Sequence, residues 1–449
     1  MKKWLAAVLT MGLLLLPAGA RGEAAGAFVL PLGADNVLAN VQGQALTERG
    51  VYGRIDVLTP EAAPEDRLFA GYTREECFLL DSAGKQLLEE AFETIYQTGD
   101  GVLYMTKGGL TGAMDVGRNP LVACKYTQLV KSDEGFLALD SDPYDERPDG
   151  VYFIEPDGTE SATGVKIRYG LGAFSEGLMP VMSSLNGRMG YLNARGEWAI
   201  TAQYEFAGEF IGGAAEAGLL TGSGFIDRQG NWLVTPKYAA VGRSGKDARL
   251  VLVQEDGSKV LLLDPKTFAQ KCAFEGDDIY FSAYFDEALA VLYKDDCTCL
   301  IDEEGRTLIE SGLDATFDAW SAMDGRVIVQ QGEWGENCMS LCGRDGKTIS
   351  GPWQQVRLLG QAEGRTLYAC ISFEVTEEVE ADQAWRTLSE VEGTRKIAVV
   401  DQEGKTVIDA QPMSDMVLDP SGVLVFETAA QAGAMDLTGK VILALDKAE

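Results

Sequence analysis

The sequence contains no histidine among its 449 residues. A Ser-His-Asp triad, a Cys-His pair and a His-ligated zinc or haem site are therefore excluded. Any catalysis would depend on paired carboxylates, Lys, Tyr or Cys. The sequence indicates no bound cofactor.

Basic residues are scarce: 38 Lys and Arg stand against 69 Asp and Glu, which gives a formal net charge of -31. Nucleic-acid binding requires Lys and Arg to replace the counterions of phosphates, so this function is not expected. A polybasic lipid-binding patch is also lacking. The acidity is typical of an exported β protein kept soluble by its charge. Attraction of cations or of a basic partner is the alternative.

Long apolar runs are missing after the N-terminus. The first residues combine Lys2 and Lys3 with an apolar stretch from Trp4 to Leu16 and a small-residue site that ends at Ala20. This order is typical of a secretory signal peptide over residues 1–20 that is cleaved near Ala20. We therefore expect a secreted or extracytoplasmic protein without a membrane span after signal removal.

The eight cysteines allow up to four disulfides in an exported chain, but spacing does not determine their connectivity. Cys124 and Cys370 follow apolar, strand-like residues, which favours small buried side chains over disulfides. Cys338 and Cys342 could instead form a bridge across a turn.

A short motif recurs through the chain: an apolar strand ends in Asp, Asn or Glu, and a Gly follows three residues later. An Asp or Asn can accept hydrogen bonds from the backbone ahead of it, and Gly readily adopts the positive φ of a hairpin turn. The clearest pairs are Asp81 and Gly84, Glu155 and Gly158, Asn193 and Gly196, Asp227 and Gly230, Asp302 and Gly305, Asp401 and Gly404, and Asp436 and Gly439. Three weaker copies, near residues 115, 264 and 343, bring the prediction to about ten units.

Two consecutive units resemble the bacterial WG repeat, also called the KWG repeat. Residues 189–204 read MGYLNARGEWAITAQY, residues 224–238 read GFIDRQGNWLVTPKY, and FSEGLMPV precedes them at residues 174–181. The family pattern is roughly W-G-Y/F-I/L-D/N-x-x-G-x-W/V/K-x-I/V-x-x-x-Y/F. Met189-Gly190 and Ser223-Gly224 replace its Trp-Gly. The resemblance implies β-hairpin repeats of a kind common in exported or surface bacterial proteins, and implies no particular chemistry.

Aromatic residues recur at fixed positions of these two units. Trp198 and Trp232 lie two residues after the turn Gly, and Tyr204 and Tyr238 lie six residues further on. A large side chain at one position of every unit usually fills the core between repeats. We interpret these four residues as structural.

The fold class predicted is all-β, with tandem hairpin repeats that form a β-propeller-like ring. An open β-solenoid array is the alternative, because about ten units exceed the usual four to eight propeller blades. We expect residues 21–77 to form an irregular lead-in or cap, and residues 78–449 to carry the repeats.

Two segments interrupt the repeat. The insertion at residues 374–396 is rich in Glu, and its middle has a helical character. Because insertions of repeat proteins tend to lie on one binding face, Trp385 is the candidate binding residue. The acidic segment 140–150 lacks the Gly and Glu of an EF-hand loop, and is interpreted as a turn-rich loop without a metal.

These features favour an exported, monomeric, non-catalytic binding or scaffold protein. Its partner would be another protein or a cell-wall polymer. The alternative is a glycan-active hydrolase with two carboxylates, which would need an aromatic-lined cleft between acids about 5–10 Å apart. A calcium-stabilised surface module is a third possibility.

Overall fold

A computed structural model describes residues 26–140, 149–283, 288–294, 297–312, 317–321, 324–332, 338–379 and 386–447. Within these ranges the chain forms 42 β-strands and one 3₁₀ turn, Pro64–Asp66, which confirms the all-β prediction. Neighbouring strands are antiparallel throughout. The same ranges contain no apolar helix of membrane-spanning length.

The strands form eleven successive units, numbered here from the N-terminus. Units 1 to 3 contain β1 (Ala27–Pro31) and β2 (Asn36–Asn40); β3 (Arg54–Val57), β4 (Phe69–Tyr72) and β5 (Cys77–Leu80); β6 (Thr94–Gln97), β7 (Val102–Lys107), β8 (Leu110–Asp115) and β9 (Pro120–Tyr126). Units 4 and 5 contain β10 (Gln128–Lys131), β11 (Phe136–Asp140), β12 (Asp149–Ile154) and β13 (Glu160–Arg168); β14 (Met179–Ser183), β15 (Met189–Leu192) and β16 (Trp198–Tyr204). These two units share one seven-stranded sheet.

The remaining units follow the same pattern. Units 6 to 8 contain β17 (Phe206–Ala207), β18 (Ala214–Leu219), β19 (Gly222–Asp227) and β20 (Trp232–Tyr238); β21 (Ala240–Ser244), β22 (Leu250–Asp256), β23 (Lys259–Leu263) and β24 (Gln270–Glu275); β25 (Tyr280–Ser282), β26 (Leu289–Tyr293), β27 (Cys297–Asp302) and β28 (Thr307–Gly312). Units 9 to 11 contain β29 (Phe317–Ser321), β30 (Arg326–Gln331), β31 (Met339–Gly343) and β32 (Thr348–Trp353); β33 (Gln355–Ala362), β34 (Arg365–Ser372), β37 (Lys396–Asp401) and β38 (Thr406–Pro412); β39 (Asp415–Leu418), β40 (Leu424–Glu427), β41 (Gln431–Met435) and β42 (Val441–Asp446).

The repeated turn motif closes the outer hairpin of each unit. At Asp227, one carboxylate oxygen accepts the backbone N–H of Gln229 at 2.9 Å and that of Asn231 at 2.8 Å. The carbonyl of Asp227 accepts the N–H of Gly230 at 2.9 Å. The same three bonds form at Asp81, Asn193, Asp302, Asp401 and Asp436.

The structure contains one unit more than the sequence predicts, and it lies in the segment expected to be an irregular lead-in. Asn40 closes a turn of the same kind, since its side chain accepts the N–H of Gln42 and Gln44 and its carbonyl accepts that of Gly43. Unit 1 was missed because only two of its strands are of regular length. The turn of the weaker copy near Asp115 has the same length as the other turns. Arg118 stands in the position of the Gly and adopts a φ of 71°.

No unit buries its apolar residues alone. Eleven apolar clusters each combine residues of two neighbouring units, so that every unit packs against the next. The last cluster joins Val423 and Val425 of unit 11 to Phe28 and Leu30 of unit 1. The array is therefore a closed ring of eleven units. Packing closes it, because β1 and β2 form a sheet of their own and do not pair with unit 11.

The insertion also differs from its prediction. It forms a hairpin of β35 (Val375–Val379) and β36 (Arg386–Glu390) between β34 and β37, so residues 386–390 are a strand and are not helical. Val375 and Thr376 are β-branched and favour a strand. Their pairing in a two-stranded ribbon outweighs the weak helical propensity of the insertion.

The turn glycines contact the outer strand of the preceding unit. Gly404 has a φ of 79°, and a β-carbon built on it would lie 2.8 Å from the carbonyl oxygen of Ile349 in β32. Gly43 of unit 1 has a φ of 82°, and its β-carbon would lie 2.7 Å from the carbonyl of Ile442 in β42. Gly158 has a φ of 86° but no atom within 4 Å of such a carbon.

We predict that Gly404→Ala is more destabilising than Gly158→Ala. Both substitutions place an L-residue in the left-handed region, at a cost of about 1–2 kcal/mol. Only the first also forces its methyl group against a neighbouring unit, which adds roughly 1–3 kcal/mol. Urea unfolding of the two variants measures the difference. Equal losses would show that the turn of unit 10 does not press on unit 9.

Gly43→Ala tests whether the ring is closed. Because the atom that it would contact belongs to the last strand, we expect a loss comparable with that of Gly404→Ala, again measured by urea unfolding. In an open array Gly43 would have no such neighbour. A loss no greater than that of Gly158→Ala would therefore contradict closure.

Candidate functional site

The strand connections divide between two ends of the ring. In a four-stranded antiparallel unit, the first and third connections lie at one end, and the second connection and the link to the next unit lie at the other. The Asp–Gly turns are third connections and define the turn face. The opposite end, which carries the second connections, is called the loop face.

Three long connections lie on the loop face. They are the segment between β11 and β12, the segment between β30 and β31, and the insertion hairpin between β34 and β37. The acidic residues 141–148, Trp334-Gly335 and the candidate residue Trp385 belong to these connections and lie outside the described residues. The strand ends that flank both segments, those of β11 and β12 and of β34 and β37, thus lie at one end of the ring.

Two exposed leucines occupy equivalent tips of the loop face. Leu185 in the second connection of unit 5 is 85% exposed, and Leu220 in that of unit 6 is 84% exposed. Phe206, which pairs opposite Gly218 at the base of the second tip, is 49% exposed. These residues are not among those predicted from the sequence. Each Leu precedes a turn residue and a Gly, a pattern that marks the turn but does not distinguish an exposed tip from a core residue.

The residues interpreted as structural lie between units. Trp198 packs on the core of units 4 and 5, and Trp232 on that of units 5 and 6. Tyr204 is buried, meets Trp232 edge-on at 5.7 Å, and donates a hydrogen bond of 3.2 Å to the carbonyl of Gly230 in the next unit. Tyr238 packs on the core of units 6 and 7.

A cavity of about 620 Å³ opens on the turn face beside the long connection of unit 2. Its lining includes the carboxylates of Glu61, Glu65, Asp66 and Asp81, two arginines, and no aromatic side chain. The cavity therefore offers several acids without the flat apolar surface on which a sugar ring would stack.

Two buried charged side chains, Arg67 and Asp419, lie where the ring closes. Arg67, one of the arginines lining the cavity, donates from Nη2 to the carbonyl of Pro420 in unit 11 at 3.0 Å. The adjacent Asp419 accepts the N–H of Ser421 at 2.8 Å and that of Val29 in unit 1 at 3.3 Å. Burial raises the pKa of Asp419, against the opposing effects of these hydrogen bonds and of the Arg67 charge.

Asp419 also protects the open edge of β1. The N–H of Val29 points away from β2 and donates a hydrogen bond to the Asp419 carboxylate. Pro31 has no backbone N–H. No strand of the described residues pairs with this edge. An occupied donor and a proline prevent an edge from recruiting a foreign strand.

One acidic cluster has the spacing of a metal site. Asp302, Glu303 and Glu304 bring carboxylate oxygens within 4.8 Å of one another. Arginines already neutralise them: Arg306 bonds Asp302 at 2.7 Å and Glu304 at 3.2 Å, and Arg344 bonds Glu303. This arrangement is a network of ion pairs on the turn face.

The eight cysteines all lie within the described residues, and none of them forms a disulfide there. Five of them are buried, and burial raises the pKa of Cys370 to about 12. A protonated thiol in an apolar core is a poor nucleophile. The cysteines therefore serve as small core residues in this structure.

Fold and surfaces together define the class of protein: a closed all-β repeat ring with an irregular loop face. Residues 189–217 and 224–257 match the sequence profile of the WG containing repeat, which confirms the resemblance over units 5 and 6 and the start of unit 7. No curated protein matches the chain.

Several solved structures are similar to parts of the chain. BamB from Moraxella catarrhalis is 14% identical, with a TM-score of 0.29, and the match covers 70% of this chain and 94% of that chain. Apo AztD from Citrobacter koseri is 11% identical, with a TM-score of 0.31 and coverages of 63% and 93%. Kluyveromyces lactis Hsv2 is 9% identical, with a TM-score of 0.25 and coverages of 73% and 95%. Scores this low carry no inference about function.

We predict that Asp419→Asn changes how stability depends on pH. Since the folded pKa of Asp419 is raised, the folded state binds more protons than the unfolded state above the ordinary Asp pKa, and stability falls as the pH rises through this window. The wild type should therefore gain stability relative to Asp419→Asn as the pH is lowered from 7 towards 5. Urea unfolding across this range measures the difference.

Asp436→Asn is the matched control, with the opposite sign. A hydrogen bond from Thr438 lowers the pKa of Asp436, so its contribution is present above the ordinary pKa and is lost as the pH falls through the folded value. The advantage of the wild type over this variant should shrink below about pH 4. Parallel pH profiles for the wild type and Asp419→Asn would contradict the burial of a titrating carboxyl at the ring closure.

Proposed function

We propose that the protein is an exported, non-catalytic binding or scaffold module. Its loop face would hold another protein or a cell-wall polymer outside the cytoplasm. The observation that carries the proposal is that the insertion hairpin of β35 and β36 and the exposed tips at Leu185 and Leu220 lie at the same end of the strands. Loops on a rigid repeat scaffold are where such proteins usually bind their partners.

Export is proposed from the sequence at the N-terminus. Lys2, Lys3 and the apolar stretch that ends at Leu16 have the order of a signal peptide. The lack of disulfides does not oppose export, because seven of the eight cysteines sit in or beside an apolar cluster where a small hydrophobic side chain is sufficient.

A glycan-active hydrolase is the second candidate. The feature of the turn-face cavity that supports this activity is its set of carboxylates, which includes those of Glu61 and Asp81. A sugar-cleaving site also needs a surface that orients the ring, and the cavity lining has no aromatic residue for this purpose. The binding proposal is therefore favoured.

A pulldown with purified residues 21–449 tests the proposal. We expect the immobilised ring to retain a component of a bacterial cell-wall preparation or of an exported-protein fraction. Trp385→Ala, or replacement of residues 375–390 by a short Gly-Ser turn, should weaken retention about fivefold or more, the loss expected for an interface hot spot.

The control carries changes away from the loop face. Leu121 and Leu233 lie on outer strands and are 39% and 43% exposed, so the double variant Leu121→Ser/Leu233→Ser should retain the component as the wild type does. If nothing is retained, the binding function is wrong. Release of reducing sugar ends from the cell wall, abolished by Glu61→Gln with Asp81→Asn, would establish the hydrolase in its place.

A further inference from the structure

The two tip leucines of the loop face have no role in the core. Leu185 and Leu220 lie in the second connections of consecutive units, and each is followed by a turn residue and a Gly. The two loops differ in length, since Ser183 and Arg188 close the first, and Leu219 pairs with Gly222 across the second. The core between these units is filled by Tyr191, Tyr204 and Phe210 together with smaller apolar residues. An apolar side chain left about 85% exposed in the second connection of both units is not explained by packing.

Both tips are held rigidly by the fourth strand of their own unit. Asn186 donates from its side-chain amide to the carbonyl of Ala202 at 3.0 Å, and Thr221 donates from its hydroxyl to the carbonyl of Pro236 at 3.2 Å. Asn186 also accepts the N–H of Arg188 at 3.0 Å. Pre-organised apolar groups bind with less loss of conformational entropy than mobile ones.

Cations flank the leucines in a chain that is otherwise strongly acidic. The carbonyl of Lys166 accepts both the N–H and the hydroxyl of Ser184 at 3.1 Å, which places Lys166 beside the first tip. Lys237 directly follows Pro236, to which the second tip is bonded, and both lysines are exposed. Another cation at the first tip, Arg188, forms a salt bridge with Glu205.

From this arrangement we infer a docking site for an amphipathic segment of a partner protein, with leucine-like side chains on one side and acidic residues along its flanks. Leu185, Leu220 and Phe206 bind the apolar side, and Lys166 and Lys237 bind the acids. Packed sheets lie about 10 Å apart, close to two turns of an α-helix at 5.4 Å each, so apolar residues seven apart on one helix reach both tips. This inference rests on the proposed binding function and names the partner class.

Two synthetic 14-residue peptides serve as probes. Both carry Leu at positions 4 and 11, and their flanks are glutamates in one and lysines in the other. Fluorescence anisotropy with residues 21–449 should show at least tenfold tighter binding of the acidic peptide. Leu185→Ser/Leu220→Ser should weaken it at least tenfold, and Lys166→Glu/Lys237→Glu should reverse the preference between the peptides.

Leu121→Ser/Leu233→Ser is the matched control, and should bind the acidic peptide as the wild type does. Tighter binding of the basic peptide, no binding of the acidic one, or equal binding by both double Ser variants would overturn the site. A cell-wall polymer whose retention depends on Leu185 and Leu220 would overturn the assignment to a protein partner.

The outcome separates this site from the binding function itself. A component that the pulldown retains equally with wild type and Leu185→Ser/Leu220→Ser would disprove the docking site and leave the scaffold proposal intact. Leu185 and Leu220 contact little of the rest of the protein. The free energy of unfolding of Leu185→Ser/Leu220→Ser should therefore lie within about 0.5 kcal/mol of the wild-type value, which excludes misfolding as the cause of lost binding.

Discussion

Packing between neighbours is the constraint on which this structure depends. Each unit is a small antiparallel sheet whose two faces are covered only by the units on either side. A sheet of three or four strands cannot retain its order in water with both faces exposed. The free faces of the first and the last unit therefore also need a neighbour. They cover each other, because Phe28 and Leu30 of unit 1 pack on Val423 and Val425 of unit 11.

The position of the turn Gly follows from the same constraint. A hairpin turn needs a residue with positive φ, and Asn or Arg can supply it, as Arg118 does. At Gly404 the requirement is stricter, because the turn presses against the carbonyl of Ile349. Local backbone geometry and contact between units select the same residue, so the motif is legible in the sequence even where the rest of the repeat has diverged.

The sequence predicts the local structure within each unit well, and it predicts the contacts between units less well. The carboxylate of Asp227 and the turn at Gly230 follow from local chemistry, and the all-β class follows with them. Unit 1 carries the turn motif at Asn40 and Gly43, but it was interpreted as a lead-in because it has only two regular strands and depends on units 2 and 11 for its cover. The sequence favours a ring over an open array but not the contacts that close it, since those of Val29 with Asp419 and of Arg67 with Pro420 join residues far apart in the chain.

The candidate site shows the same division. The sequence pointed to Trp385 because an insertion is visible as a break in the period. Leu185 and Leu220 do not break the period, and in a sequence an apolar residue at a hairpin looks like core. Only the bonds from Asn186 and Thr221 to their outer strands show that both tips are fixed in the solvent. Substitution on a face that has no packing role costs the ring almost nothing, so units 5 and 6 can each carry a binding residue there.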